Sequence, residues 1–140
     1  MRQLVLIEDG KLPTKATQGS AAEDCYARKG ASIDVGERVV IPLGFRMAIP
    51  DGYCAKLLPR SGLARKNGVT VLNSPGLIDS DYRGEINVIL INLGYDVVQI
   101  SKGDRVCQML IERRVDLPTT VVQNLSSTER GSKGFGSTGK

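Results

Sequence analysis

Asp79 sits in the segment Asn73 to Glu85, NSPGLIDSDYRGE, which also brings Asp81, Tyr82 and Arg83 into a turn bounded by Gly and Pro. The apolar runs VTVL and INVILIN flank it, and two such runs joined by a short polar tip read as a β-hairpin. Asp79 follows Leu77-Ile78, so a carboxylate emerges from an apolar stretch. It is either a turn residue or a general base. The chain contains no His. That excludes a Ser-His-Asp triad, a His-bearing zinc site and a histidine base, and leaves acid–base work to Asp, Glu, Lys or Tyr.

Other polar blocks carry further chemistry. PRSGLA, Pro59 to Ala64, is either a strand end passing into a turn or an anion site. In the second case Ser61 and Gly62 offer an O–H and N–H groups at the start of a short helix, and Arg60 adds a fork-shaped cation. GSAAEDCYA, Gly19 to Ala27, places Glu23 beside Asp24. On a strand these neighbours face opposite sides, so if Asp24 faces a site Glu23 does not. KGDRVCQML, Lys102 to Leu110, contributes Gln108 and a turn acid, Asp104, read as paired with a nearby Arg. Cys54 and Cys107 read as small core residues. The last block, ERGSKGFGSTGK, has the composition of a flexible tail. Gly134 to Gly139 fits a dinucleotide fingerprint and Gly134 to Lys140 most of a Walker A loop, but both motifs need a strand before and a helix after. Gly-rich backbone with hydroxyls and a cation can still wrap phosphates with its N–H groups.

These residues must be held by something. The chain has 140 residues, enough for one ordinary domain. Short apolar runs (LVLI, RVVIP, FRMAIP, YCAKLL, VTVL, INVILIN, VVQI, RVCQMLI, TTVV) recur between turn signals such as Asp51-Gly52 and Asn67-Gly68. Many short strands at that spacing predict an all-β sandwich, jelly roll or barrel, with one or two helical turns near Ser61 to Lys66. The net charge of +4 suits a polyanionic ligand. The basic residues are scattered rather than set in a stripe. With two Phe, four Tyr and no Trp, there is no aromatic platform for single strands. No nucleic-acid or membrane partner is expected. The three Cys are widely spaced and odd in number, which fits a reducing compartment rather than a disulfide framework or a zinc knuckle. LVLI is too short for a signal-peptide core, so a cytoplasmic location is expected.

In order, content and spacing, the five blocks resemble the five motifs of the trimeric dUTPases, deoxyuridine triphosphate nucleotidohydrolases, from about Gly19 to Gly139. The second, third and fifth blocks match closely. In the first, Ala22 and Glu23 stand where the family usually has Gly and then an apolar or aromatic residue. The resemblance implies a jelly-roll subunit with at most one short helix, residues 1–125, and a Gly-rich arm, 126–140, that closes over the site. It implies hydrolysis of dUTP to dUMP and pyrophosphate, which keeps uracil out of DNA and supplies dUMP for thymidylate synthesis. Asp79 matches the base that activates water. Arg60, Ser61 and Gly62 match the phosphate cradle, and Gln108 the contact to the α phosphate. Asn73 matches a position at the uracil, and the backbone from about Gly76 to Tyr82, Gly76 and Ile78 included, matches the reader of the uracil edge. Tyr82 matches the ring under the deoxyribose, where it leaves no space for a 2′-OH. Asp81 reads as a turn or solvent-facing residue.

By the same resemblance Arg130 reaches the γ phosphate, Phe135 stacks on uracil, and Gly136, Ser137 and Thr138 wrap the triphosphate. Ordering a residue costs about 1–2 kcal/mol of backbone freedom, and one base–aromatic stack returns roughly 1–3 kcal/mol. Phe135 alone does not hold the arm, so its closure is expected to depend on bonds to phosphate. The implied metal is Mg²⁺, carried on the phosphates, with Asp24 acting through water. The implied assembly is a homotrimer with sites shared between subunits: the first, second and fourth blocks from one, the third from a neighbour, the arm from the remaining one. Two other readings stand beside this one, a dCTP deaminase-like enzyme and a regulatory protein switched by nucleotide.

Overall fold

The computed structural model describes residues 2–139. Eleven short strands and one helix follow one another along the chain: β1 Leu4–Ile7, β2 Glu23–Tyr26, β3 Ala31–Ile33, β4 Arg38–Pro42, β5 Phe45–Ala48, β6 Tyr53–Leu58, α1 Ser61–Asn67, β7 Val69–Val71, β8 Gly76–Ile78, β9 Asn87–Asn92, β10 Val98–Ile100 and β11 Arg105–Arg113. The all-β jelly-roll expectation holds, and so does the single short helix. Every strand pairing among the described residues is antiparallel. The sheets run β2-β11-β6-β8, β4-β9-β7, β1-β5 and β10-β3.

Alternation drives the packing. In β9 the residues Val88, Leu90 and Asn92 point inward and are buried, while the intervening positions are open to different degrees. One apolar cluster draws on all four sheets. Cys25, Leu57 and Met109 come from the first, Ile41, Val71 and Leu90 from the second, Phe45 and Met47 from the third, and Ile33 and Ile100 from the fourth. Asn92, 0% exposed, is the most buried polar residue among those described. Its Nδ2 donates to the carbonyls of Ile33 and Asp96 at 2.9 and 2.8 Å, and its Oδ1 accepts from the Gly94 N–H at 2.9 Å. Both Nδ2 hydrogens are used and Oδ1 is paired, so it ties β9 to β3 and to the following loop.

Two sequence expectations need correction. The hairpin exists, since β7 and β9 pair from Val69–Asn92 to Val71–Leu90, but its connection is not a simple polar tip. Gly76-Leu77-Ile78 leaves that sheet and pairs with β6 in the other one, Ala55 opposite Ile78 and Leu57 opposite Gly76. A three-residue strand after a Pro carries no periodicity from which its partner could be read. The run TTVV forms no strand, and Val121 and Val122 are exposed. The last strand ends at Arg113, and the Arg114 N–H bonds back to the Gly52 carbonyl at 2.8 Å. From residue 117 to 139 every recorded hydrogen bond is internal to the segment. Among the described residues no strand lies between Arg113 and Gly134, so residues 134–139 lack the preceding strand that a dinucleotide or Walker A loop requires. Lys140, the Walker-type lysine and last residue of the arm, lies outside the described residues.

Candidate active site

Asp24 is the most buried carboxylate of the molecule's described part, 7% exposed. It lies on β2 opposite Gln108 of β11. Around it are Arg60 Nε at 3.5 Å, Arg105 Nε at 3.8 Å and the Gln108 amide, whose Nε2 donates at 3.4 Å. Charge-assisted bonds in proteins run to about 2.7–2.9 Å. All three contacts are longer than that, so the carboxylate keeps lone pairs for water. Arg60 is itself braced by a bond from Nη1 to the Arg105 carbonyl at 3.0 Å.

Arg105 is the residue that sequence reasoning missed. On a regular strand residues three apart face opposite sides, so Arg105 and Gln108 do not belong together by spacing. A bulge between Arg105 and Cys107 inserts one extra residue, so that Arg105 lies opposite Tyr26 while Gln108 lies opposite Asp24. Asp24 and Tyr26 share a face of β2, and the bulge puts Arg105 and Gln108 on it too. Tyr26 is 5% exposed, with the Lys11 ammonium 4.1 Å from its ring centre. Its hydroxyl pKa is pushed below the ordinary value, chiefly by the hydrogen bond with Thr14 and against the effect of burial. A groove of about 590 Å³ bounded in part by Lys11, Tyr26, Arg60 and Arg105 runs beside the cluster.

Helix α1 begins at Ser61 with Arg60 as its N-cap and no side-chain cap. Ser61 and Gly62 are exposed, and no acid stands in the first turn. Their N–H groups are therefore open to an anion. Gly68 ends the helix at φ 68°, its N–H bonded to the carbonyls of Ala64 and Leu63. Arg60, Ser61, Gly62, Asp24 and Gln108 thus form one group. Glu23, alternating with Asp24 on β2, lies off the Asp24–Tyr26 face, as expected. Ala22 needs no left-handed backbone, since Asp9 is the one non-glycine with positive φ among the described residues. The departure from Gly there carries no strain.

The third block forms a second group. Asp79 and Tyr82 line a hollow of about 180 Å³ with Leu77, Ile78, Glu85 and Asn87. Asp79 is exposed, and its carbonyl accepts the Tyr82 N–H at 3.2 Å, which closes a turn. Arg83 fastens that turn through bonds to the carbonyls of Ser80 and Tyr82 at 2.6 and 3.1 Å. Asp81 is exposed at the tip, as expected. Asn73 folds back over Gly76: a β-carbon there would stand 3.7 Å from the Asn73 Nδ2 and 3.3 Å from Leu57 Cβ. Asp104 is a turn acid, but it accepts the Ser101 N–H at 2.8 Å instead of pairing with an Arg. Cys107 is fully buried, whereas Cys54 is only half-buried and is not a core residue.

One chain does not join the two groups. Asp79 leaves β8 just past the Ile78–Ala55 pair, while Gln108 lies opposite Leu58. About four residues of β6, roughly 13 Å, separate those levels. β2 and β8 are three places apart in the sheet, about 14 Å across. The arm joins neither group: Phe135 is completely exposed, and Arg130, Gly136, Ser137 and Thr138 are exposed too. Among the described residues no three His, Cys, Asp or Glu side chains gather as a metal cage.

A family profile described as dUTPase matches residues 8–139. Curated proteins named deoxyuridine 5′-triphosphate nucleotidohydrolase are similar along nearly the whole chain. The one from Rickettsia bellii is 52% identical over 132 residues, covering 93% of this chain and 88% of its own. The one from Caulobacter vibrioides is 48% identical over 135 residues, covering 94% and 87%. Among solved structures, a dUTPase of Staphylococcus bacteriophage 80alpha with dUpNHpp aligns with a TM-score of 0.91 at 22% identity, over 99% of both chains. A dUTPase of phage phi11 of S. aureus, described with a structural Mg(II) ion, aligns with a TM-score of 0.82 at 20% identity, over 89% of this chain and 98% of the other. At those identities the structures speak for the fold.

Proposed function

Because the chain belongs to the dUTPase family, we propose that it hydrolyses dUTP to dUMP and pyrophosphate, which keeps uracil out of DNA and supplies dUMP for thymidylate synthesis. The observation that carries this reading is the group around Asp24. Two guanidinium groups, an amide and a helix start with free N–H groups converge on one exposed cradle, as a triphosphate requires. Arg60, Ser61 and Gly62 hold the phosphates there, and Gln108 contacts the α phosphate. Asp79 orients and deprotonates a water for in-line attack at the α phosphorus. Asn73 lies at the uracil, and the backbone from about Gly76 to Tyr82, Gly76 and Ile78 included, reads the uracil edge. A base with the wrong donor–acceptor pattern leaves buried groups unpaired. Tyr82 lies under the deoxyribose.

The donor set suits Mg²⁺ brought by the substrate. Asp24 is a single carboxylate with long contacts and free lone pairs, able to hold the ion through water but not to cage it. When bound, the ion neutralises charge on the pyrophosphate as it leaves.

The separation of Asp79 from the phosphate cradle supports a homotrimer with shared sites, since a reacting pair must come within about 3.5 Å. The exposed Val115, Leu117, Val121, Val122 and Leu125 are then covered by a neighbouring subunit. On that view residues 1–125 count with the body and 126–140 form the arm. Arg130 reaches the γ phosphate, Phe135 stacks on uracil, and Gly136, Ser137 and Thr138 close over the phosphates. Three free cysteines fit a cytoplasmic location, and among the described residues no helix is long and apolar enough to cross a membrane.

The test is pyrophosphate release from dUTP with Mg²⁺, with dCTP, dTTP and UTP as controls. Turnover of dUTP alone is expected. Ammonia from dCTP would instead mark a deaminase, and no turnover of any nucleotide would mark a nucleotide-switched regulator.

A further inference from the structure

Tyr82 is 44% exposed, so few side-chain contacts fix its ring. Its own hairpin does so instead. A β-carbon on Gly84 would stand 2.3 Å from the Tyr82 hydroxyl, 2.5 Å from Cζ and 3.0 Å from Cε2. The ring occupies the space that any other residue at position 84 would need. The hydroxyl donates to the Glu85 carbonyl at 3.1 Å, and that acceptor is itself immobilised. Asn87 Nδ2 donates to the same carbonyl at 2.9 Å. The Glu85 carboxylate accepts the Gly44 N–H at 3.1 Å and the Arg28 Nη2–H at 3.1 Å. Arg28 Nε lies 2.8 Å from Glu85 Oε1 as a close ion contact with a poorly aligned N–H. Gly84 supplies the seat and Glu85 the latch.

The geometry points to Gly84 and Glu85 as positioning residues that set the discrimination between deoxyribose and ribose by holding the Tyr82 ring in place. The inference rests on the reading of Tyr82 as the surface under the sugar. A ring excludes a 2′-OH only while it cannot swing aside. With Gly84 enlarged, the clash falls on the far end of a rotatable side chain and not on backbone, so the ring yields and the fold stays. The Asp79–Tyr82 turn is closed by backbone and by Arg83, so the catalytic carboxylate keeps its place.

Steady-state kcat and KM for dUTP and UTP, measured on the full-length wild type and on Gly84→Ala, Tyr82→Phe, Tyr82→Ala and the double variant Tyr82→Ala/Gly84→Ala, test this. Gly84→Ala is expected to lower the dUTP-to-UTP ratio of kcat/KM by about tenfold, the range that one misfitted contact in a pocket costs, with KM for dUTP rising more than kcat falls. Tyr82→Phe keeps the ring and loses the latch, and is expected to lower the ratio about threefold. In the Tyr82→Ala background Gly84→Ala is expected to change the ratio no further, since it acts through a ring already gone. A folded Gly84→Ala enzyme with the wild-type ratio overturns the inference, and so does an equal loss in the Tyr82→Ala background. Should Gly84→Ala not fold, a wild-type ratio in Tyr82→Phe overturns it. The reading of Tyr82 fails separately, by a wild-type ratio in Tyr82→Ala.

Discussion

Asp79 and Asp24 are both carboxylates, and the fold treats them in opposite ways. Asp79 is exposed at the end of a three-residue strand, whereas Asp24 is buried among two guanidinium groups and an amide. A base must meet water, and a residue that orders a charged ligand must be fixed, so the placements match the proposed roles. Asp79→Asn is expected to lower kcat by about 10²–10⁴-fold, the usual share of a general base, with KM within a few-fold of wild type because the residue acts in the chemical step. Near-normal turnover in steady-state assays would remove Asp79 from that role. The absence of His made the acids legible as candidates; the family resemblance singled out Asp24, and strand alternation then set Glu23 on the other face. Arg105 was not legible, because the bulge that turns it toward Asp24 leaves no mark in spacing. The cysteines make a second test. Cys25 and Cys107 face each other on β2 and β11, 0% exposed, and the Cys25 thiol is pushed far above its ordinary pKa by its contact with Cys107 and by burial. The thiolate is the reactive form. An aromatic disulfide reagent is therefore expected to leave both unmodified in the native protein while half-buried Cys54 reacts, and to modify all three in denaturant.

At the scale of elements, the chain shows where strands and turns fall better than it shows their partners. Most apolar runs became strands, since alternation over five or six residues is a local property. The choice that matters for the site is non-local: after β7 the chain leaves the β4-β9-β7 sheet and β8 pairs with β6, which sets Asp79 at the end of the edge strand of the other sheet. Helix α1 is set the other way, by its ends. It is only seven residues long with no fully buried side chain, Leu63 packing partly against the core, so its length does little to sustain it. Gly68 stops it in a left-handed conformation, and a β-carbon there would lie 2.6 Å from the Gly94 N and 2.7 Å from its Cα. Both obstacles are backbone and cannot swing away. Gly68→Ala is expected to destabilise the fold by about 2 kcal/mol or more, the left-handed cost plus the clash. The effect should appear as a lower denaturant midpoint at an unchanged slope. Since Arg60, Ser61 and Gly62 start the same helix, KM for dUTP is expected to rise as well.

For the whole molecule, a single chain holds every proposed site residue and yet no complete site. The levels of Gln108 and Asp79 along β6 differ by roughly 13 Å, and β2 and β8 by about 14 Å across the sheet. Among the described residues, the recorded hydrogen bonds from residue 117 to 139, the arm included, lie within that segment. Periodicity could not foretell this, because it reports on the core of one chain and not on surfaces that copies share. The proposed shared-site trimer has a quantitative consequence. Asp79→Ala subunits lack the base, and chains truncated after residue 125 lack the arm, so each homotrimer is expected to be inactive. In a mixed trimer a site takes its base from one subunit and its arm from another. After unfolding and refolding an equal mixture, each requirement is met by chance half the time, so about a quarter of wild-type activity is expected to return, given three equivalent sites in a closed ring. If base and arm came from the same subunit, no mixture would restore anything. Mixed trimers isolated by two affinity tags and still inactive would refute the shared site, because each would contain an intact copy of every part.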